Sequence, residues 1–220
     1  MNRPAPWTPP DPLPTHMVTP RLDVRPMVAD DAVALFDAIE PHRASYLPWL
    51  EWVRVDDRSV AECVYQIEAA RRDAASWPCH EYRFGIFSRA DDGLLGAIGF
   101  RPKAPALHVA EIGYWVRPEA RSRGVATEAT GHLISWLFTP QEAGGWGLRR
   151  VDILMAAGNE SSQAVPRRLN LRLELAAMEE RYVEGPGFHD TRGYGVLASE
   201  WDLERHAARP DRRRGLFEAD

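Results

Sequence analysis

A chain of 220 residues, 45% hydrophobic and 27% charged, can bury one substantial core without a metal or disulfide staple. Its formal net charge of -5 gives no bulk electrostatic reason to bind nucleic acid, and none is expected as a partner. Cys63 and Cys79 are too few for a disulfide framework and not spaced as metal ligands, no stretch approaches the ~20 apolar residues that span a bilayer, and the N-terminus lacks a signal peptide's apolar run, so buried thiols, no membrane partner and a cytoplasmic location are expected.

Residues 1–20 are rich in proline, which excludes helix and central strand and predicts an extended arm, either disordered or draped over the body. The body is expected over 21–201 and a charged tail over 202–220. RLDVRPM (21–27) alternates like a half-buried strand, and DDAVALFDAI (30–39) has an acidic start and Val33, Phe36 and Ile39 at helical spacing. A second helix is predicted from Ser59 to Arg72, capped by Asp57 or Ser59, with Val60, Cys63, Val64 and Ile67 on one face. Trp49 and Trp52, just before it, are read as core or as pocket wall. The period then changes. YRFGIFS (82–88), LLGAIGF (94–100) and VAEIGYWV (109–116) predict three neighbouring strands, the first two joined by the turn ADDG (90–93).

RSRGVATEA (121–129) places one glycine between arginines and an apolar-periodic segment, 126–138, that stops at Thr139-Pro140. A helix N-terminus exposes unpaired N–H groups at the positive end of its dipole, so this junction suits a phosphate, although neither a Walker loop nor a GxGxxG fingerprint is present. VDILMA (151–156) is a strand. Between 169 and 182 the composition suits a helix, but Leu169, Leu171, Leu173 and Leu175 alternate, which predicts a strand from about Arg172. TRGYGVLASEW (191–201) supplies the last strand. His189-Asp190 invites a catalytic dyad, yet neighbours on a strand face opposite ways, so structural roles are expected.

The central motif AEIGYWVRPEARSRGVATEA resembles the acetyl-CoA motif of the GCN5-related N-acetyltransferase (GNAT) superfamily, in its ribosomal-protein-alanine N-acetyltransferase branch. TPRLDVRPM with DDAVALF, NESSQAV and HDTRGYGVLASEW resemble the flanking motifs, so the likeness covers about 19–201. It implies an α/β single domain with a central mixed, mostly antiparallel sheet flanked by helices. It also implies acetyl-CoA as co-substrate with no metal, an amine acceptor (a protein N-terminus or a small molecule), and leaves a homodimer open. By the same resemblance Arg121, Arg123, Gly124, Val125 and Ala126 would cradle the pyrophosphate, Val116 would lie near the thioester carbonyl, and Asn159 and Ser162 would contact the pantetheine arm and the sulfur.

Acyl transfer needs a neutral amine, and an α-amino group near ~8 is closer to neutrality than a lysine near ~10.4. A proton donor is needed for the leaving thiolate: Ser162 is the first candidate and Tyr194 the second, although Ser162 could instead cap a helix. For the base, Glu111 shares a strand face with Gly113 and Trp115, and Glu174, Glu179 and Glu180 lie where related enzymes offer a carboxylate. The chain departs from the family in two places: LNLRLEL replaces the usual L-G-F-x-x-E-G, and Pro166 falls within a predicted helix. The first departure keeps a non-catalytic acyl-CoA sensor or scaffold as the alternative.

Overall fold

The computed structural model describes residues 5–183, 185 and 187–205. Its strands are β1 (Met17–Val18), β2 (Leu22–Arg25), β3 (Tyr82–Ser88), β4 (Leu94–Ala104), β5 (Val109–Val116), β6 (Arg150–Ala156), β7 (Arg172–Val183) and β8 (Gly187–Leu197). The helices are α1 (Ala32–Ile39), α2 (Arg43–Tyr46), α3 (Val60–Ala74), α4 (Val125–Phe138) and α5 (Glu160–Arg168). All eight strands form one sheet in the order β1-β2-β3-β4-β5-β6-β8-β7, antiparallel throughout except between β5 and β6. This is the mixed α/β sheet read from the residues, and its mostly antiparallel character is what the family resemblance implies.

Alternation sends one side of the strands against α4. Phe84, Ile86, Ile98, Phe100 and Ile112 pack there with Leu133, Leu137 and Trp146. The opposite side holds a smaller core in which Leu35 and Ile39 of α1 meet Ile67 of α3, Phe87 and Leu94. Helix α1 is preceded by a 3-10 turn at Ala29–Asp31, and its buried stripe is Ala32, Leu35, Ala38 and Ile39. Val33, predicted on the inner face, is exposed, because Leu35 and Ile39, four residues apart, take the core side. Ser59 rather than Asp57 caps α3, its hydroxyl accepting from the Glu62 N–H at 3.2 Å.

The arm is draped over the body: Trp7 is buried, its backbone N–H donates to the Pro105 carbonyl at 2.9 Å and its indole N–H to the Trp146 carbonyl at 2.7 Å. Strand β1 adds residues 17–18 to the sheet edge, inside the span read as arm. The last strand runs over Gly187–Leu197 and gives way to a 3-10 turn, instead of reaching residue 201. Strand β7 starts where predicted, but Leu173 and Leu175 are exposed, because β7 is the sheet's outer strand and among the described residues no helix covers it there. Both thiols are buried and free. The RRRG of the tail lies outside the described residues.

Candidate active site

The one parallel junction is also the place where the sheet opens. Strand β5 pairs with β6 through Val109↔Arg150, Ala110↔Val151 and Glu111↔Asp152 only, although β5 continues to Val116 and β6 to Ala156. Among the described residues the main chain of Ile112–Val116 therefore has no strand partner on that side, and an extended amide-bearing ligand can add there as a strand does.

Beyond Val116 the chain turns through a 3-10 segment, Pro118–Ala120, into α4. Gly124 is the N-cap at φ 80°, ψ 4°, a left-handed conformation that favours glycine. The first intrahelical bond runs from the Glu128 N–H to the Gly124 carbonyl at 2.9 Å, so the N–H groups of Val125, Ala126 and Thr127 open outward, as an anion requires. The arginines divide their roles. Both are exposed, but Arg121 turns back, its Nε donating to the Val116 carbonyl at 3.2 Å with its guanidinium 5.2 Å above the Tyr46 ring.

Sequence reasoning missed a third arginine at this helix end. Arg21 donates through Nε to Glu128 Oε2 at 2.6 Å, through its backbone N–H to Oε1 at 3.0 Å and through Nη1 to the Arg123 carbonyl at 2.9 Å, while the Thr19 hydroxyl donates to Oε1 at 2.5 Å. Burial pulls the Glu128 carboxyl upward, but the hydrogen bonds from Thr19 and Arg21 hold it net below its ordinary value. Its negative charge beside an anion cradle is thereby matched by Arg21. Only the TPRL stretch at 19–22 hinted at this, and nothing in its spacing marks a clasp to a residue 107 positions away.

Helix α5 flanks the opening. Asn159 is its N-cap, with Oδ1 accepting from the Ser162 N–H at 3.1 Å and the Ser161 hydroxyl at 2.9 Å. Ser162 is thus the third residue of the helix, not its cap. Its hydroxyl donates toward Tyr114 Oη at 3.4 Å, and Tyr114 in turn donates to the Ser162 carbonyl at 2.9 Å. Burial raises the Tyr114 phenol, so it is neutral and a donor at ordinary pH. Tyr194 also meets α5: its hydroxyl donates to Gln163 Oε1 at 3.2 Å and accepts from Arg167 Nε at 3.1 Å.

The candidate bases are held in ion pairs or exposed. Glu111 accepts from Arg101 at 2.5 Å and lies 3.7 Å from Lys103, which also reaches Asp152 at 3.5 Å. Glu174 pairs with Arg150 at 2.5 Å, and Gly195 leaves the room, since a Cβ there would lie 2.5 Å from Arg150 Nη2. Glu179 sits at φ 47° in the irregular stretch between Ala177 and Arg181, and both it and Glu180 are exposed. His189 packs against Gly158, while Asp190 accepts from the Glu179 N–H at 3.2 Å, so the two serve different contacts.

Register pairs Ala97 with Trp115 and Gly99 with Gly113, so these share the sheet face opposite α4. They floor a cavity of about 290 Å³ that Trp52, Leu50 and Met27 wall and that residues 13–15 of the arm edge. Trp52 is therefore both packed, 6.3 Å from the Trp115 ring, and wall; Trp49 lies instead beside Gly158. Among the described residues no cluster of three His, Cys, Asp or Glu could hold a metal ion.

A family model of the acetyltransferase (GNAT) domain matches residues 21–172. The chain belongs to the GNAT acetyltransferase family. A Bacillus subtilis (strain 168) member, YdaF, whose name makes it a candidate ribosomal N-acetyltransferase, is 37% identical over 115 residues, 52% of this chain and 60% of that protein. The aligned stretch thus spans less than two thirds of that relative. A crystal structure of a probable acetyltransferase is similar with 30% identity and a TM-score of 0.72, covering 83% of this chain and 96% of the other. RimL, a ribosomal L7/L12 alpha-N-protein acetyltransferase in complex with coenzyme A, shares the fold at 21% identity and TM-score 0.69, covering 82% and 96%. In this GNAT fold the β5/β6 opening and the α4 N-terminus lie side by side.

Proposed function

We propose that the protein is an acetyl-CoA-dependent N-acetyltransferase that moves the acetyl group directly onto a primary amine, a protein N-terminal amine or a small-molecule amine. The observation that carries this reading is the juxtaposition of the unpaired Ile112–Val116 edge with the Gly124-capped start of α4. The edge suits the amide-bearing pantetheine arm, and the outward N–H groups at 125–127, with Arg21 and Arg123 near, suit a pyrophosphate. Val116 then lies toward the thioester, Asn159 braces the start of α5, and Ser162 is the group from which the departing sulfur takes a proton. A β5 N–H aimed at the thioester oxygen stabilises the developing oxyanion. The acceptor enters from the face of Gly113 and Trp115. With Glu111 and Glu174 each tied to a cation, a water chain removes the amine proton, which favours an α-amine over a lysine.

The engagement of Glu111 and Glu174 in ion pairs supports a second reading, a non-catalytic acyl-CoA sensor or scaffold. Free-thiol release from acetyl-CoA across a panel of amines and N-terminal peptides separates the two. An acetyltransferase accelerates release with at least one acceptor, and Ser162→Ala then lowers turnover by on the order of 10²-fold while coenzyme A still binds. Binding without acceleration across the panel establishes the sensor.

A further inference from the structure

Residue 166 of an α-helix should donate its N–H to the carbonyl of residue 162. Pro166 has no N–H, and its ring crowds that carbonyl. The helix nonetheless continues past it, with the Leu169 N–H reaching the Val165 carbonyl at 3.1 Å and the Leu171 N–H reaching the Pro166 carbonyl at 2.9 Å. The carbonyl released at Ser162 is taken by Tyr114, whose hydroxyl donates to it at 2.9 Å from another element of the fold.

That bond uses the only hydrogen on Tyr114 Oη. Toward Ser162 Oγ the tyrosine can then only accept, so the serine must be the donor. Their separation of 3.4 Å exceeds an ordinary hydroxyl bond, which leaves the serine hydroxyl oriented yet able to turn toward an incoming sulfur. Tyr114 belongs to the stretch of β5 that β6 leaves unpaired, and its side chain links that strand to α5, which flanks the opening.

We propose that Tyr114 is the positioning residue for the Ser162 hydroxyl, and that Pro166 makes it so by leaving the Ser162 carbonyl as an acceptor for the tyrosine. The catalytic half of this proposal rests on the acetyltransferase reading; the hydrogen-bond half does not.

Tyr114→Phe, Pro166→Ala and the double variant test both halves. In urea unfolding, Tyr114→Phe should lower the midpoint of the parent and lower that of Pro166→Ala by less than half as much, because an alanine N–H at that position can satisfy the carbonyl from within the helix. Equal shifts in the two backgrounds would overturn the proposal. In thiol release at saturating acetyl-CoA, each single variant should lose on the order of 10-fold in kcat with KM for acetyl-CoA within about twofold, and the double variant should be no slower than the slower single. Multiplying losses, or an unchanged kcat in Tyr114→Phe, would also overturn it. A parent that releases no thiol with any amine defeats the acetyltransferase reading instead, and the catalytic half with it, while the urea comparison still decides the hydrogen-bond half.

Discussion

Replacing Gly124 should separate folding from coenzyme A binding. At φ 80°, ψ 4° any L-residue is strained, by about 1–2 kcal/mol. A Cβ built there meets only Arg21 Nη2, at 3.3 Å, the far end of a flexible side chain that can give. Gly124→Ala should therefore cost about 1–2 kcal/mol, a Tm loss of roughly 2–8 °C for a chain of this size. The domain stays folded, since native stabilities run to about 5–15 kcal/mol. Gly124→Glu adds a carboxylate at the cradle. Arg21 would be drawn onto it and off Glu128, so the helix end still gains one negative charge. At ~6 Å and an effective dielectric of ~20 a like charge repels by roughly 3 kcal/mol, on the order of 10²-fold in affinity. Titration calorimetry against coenzyme A and against pantetheine, with circular dichroism as a fold check, reads both effects. The parent should prefer coenzyme A, and Gly124→Glu should lose that preference while pantetheine binding persists. A folded Gly124→Glu protein with undiminished coenzyme A affinity would show that residues 121–129 only start a helix.

Three further outcomes are expected. Trp7→Ala removes a buried indole seated 5.4 Å from the Trp77 ring and bonded to Trp146, so unfolding should show a loss of about 3–5 kcal/mol; a loss under about 1 kcal/mol would mean the arm contributes little. Burial pushes the Cys63 thiol up to about 12 and the Cys79 thiol up to about 11, so iodoacetamide at pH 8 should label neither in the native protein and both in urea; native labelling within minutes would contradict their burial. Burial lowers the His132 pKa, against the pull of its contact with the Glu128 carbonyl, so the unfolded chain binds the proton more readily; His132 then contributes stability fully above pH ~6.5 that is lost as pH falls toward the folded value. His132→Gln should flatten that decline, and parallel pH profiles for the two proteins would refute it.

The sequence displays the elements whose periodicity and burial agree. Strands β3, β4 and β5 and helix α4 are readable because inward residues recur at strand or helix spacing under a single core. Leu173 and Leu175 show the limit: alternation identifies a strand, but burial depends on whether another layer covers it, which no local pattern records. Val33 fails for a related reason, since α1 turns its stripe toward a core assembled from α3 and β4. The anchor points of the site follow from motifs around Gly124 and Asn159, whereas Arg21 and Tyr114 act through contacts 107 and 48 residues distant in the chain. For Tyr114 one sign was present: a proline inside a helix deprives an identifiable carbonyl of its donor, so some other donor had to be sought for Ser162.

The short β5/β6 pairing also leaves the hydrogen-bonded ladder of the sheet thin at one seam, although the core packs across it. Strands β1–β5 form one half-sheet and β6–β8 another, and three register pairs stitch the seam between them. A ligand lying along the open edge adds stitches where the protein has left them out. It thereby ties the cohesion of the two halves to its own concentration, by about 2.7 kcal/mol at one hundred times its Kd. Amide exchange in β6 and β8 should accordingly slow when coenzyme A is added, even at residues far from the pyrophosphate.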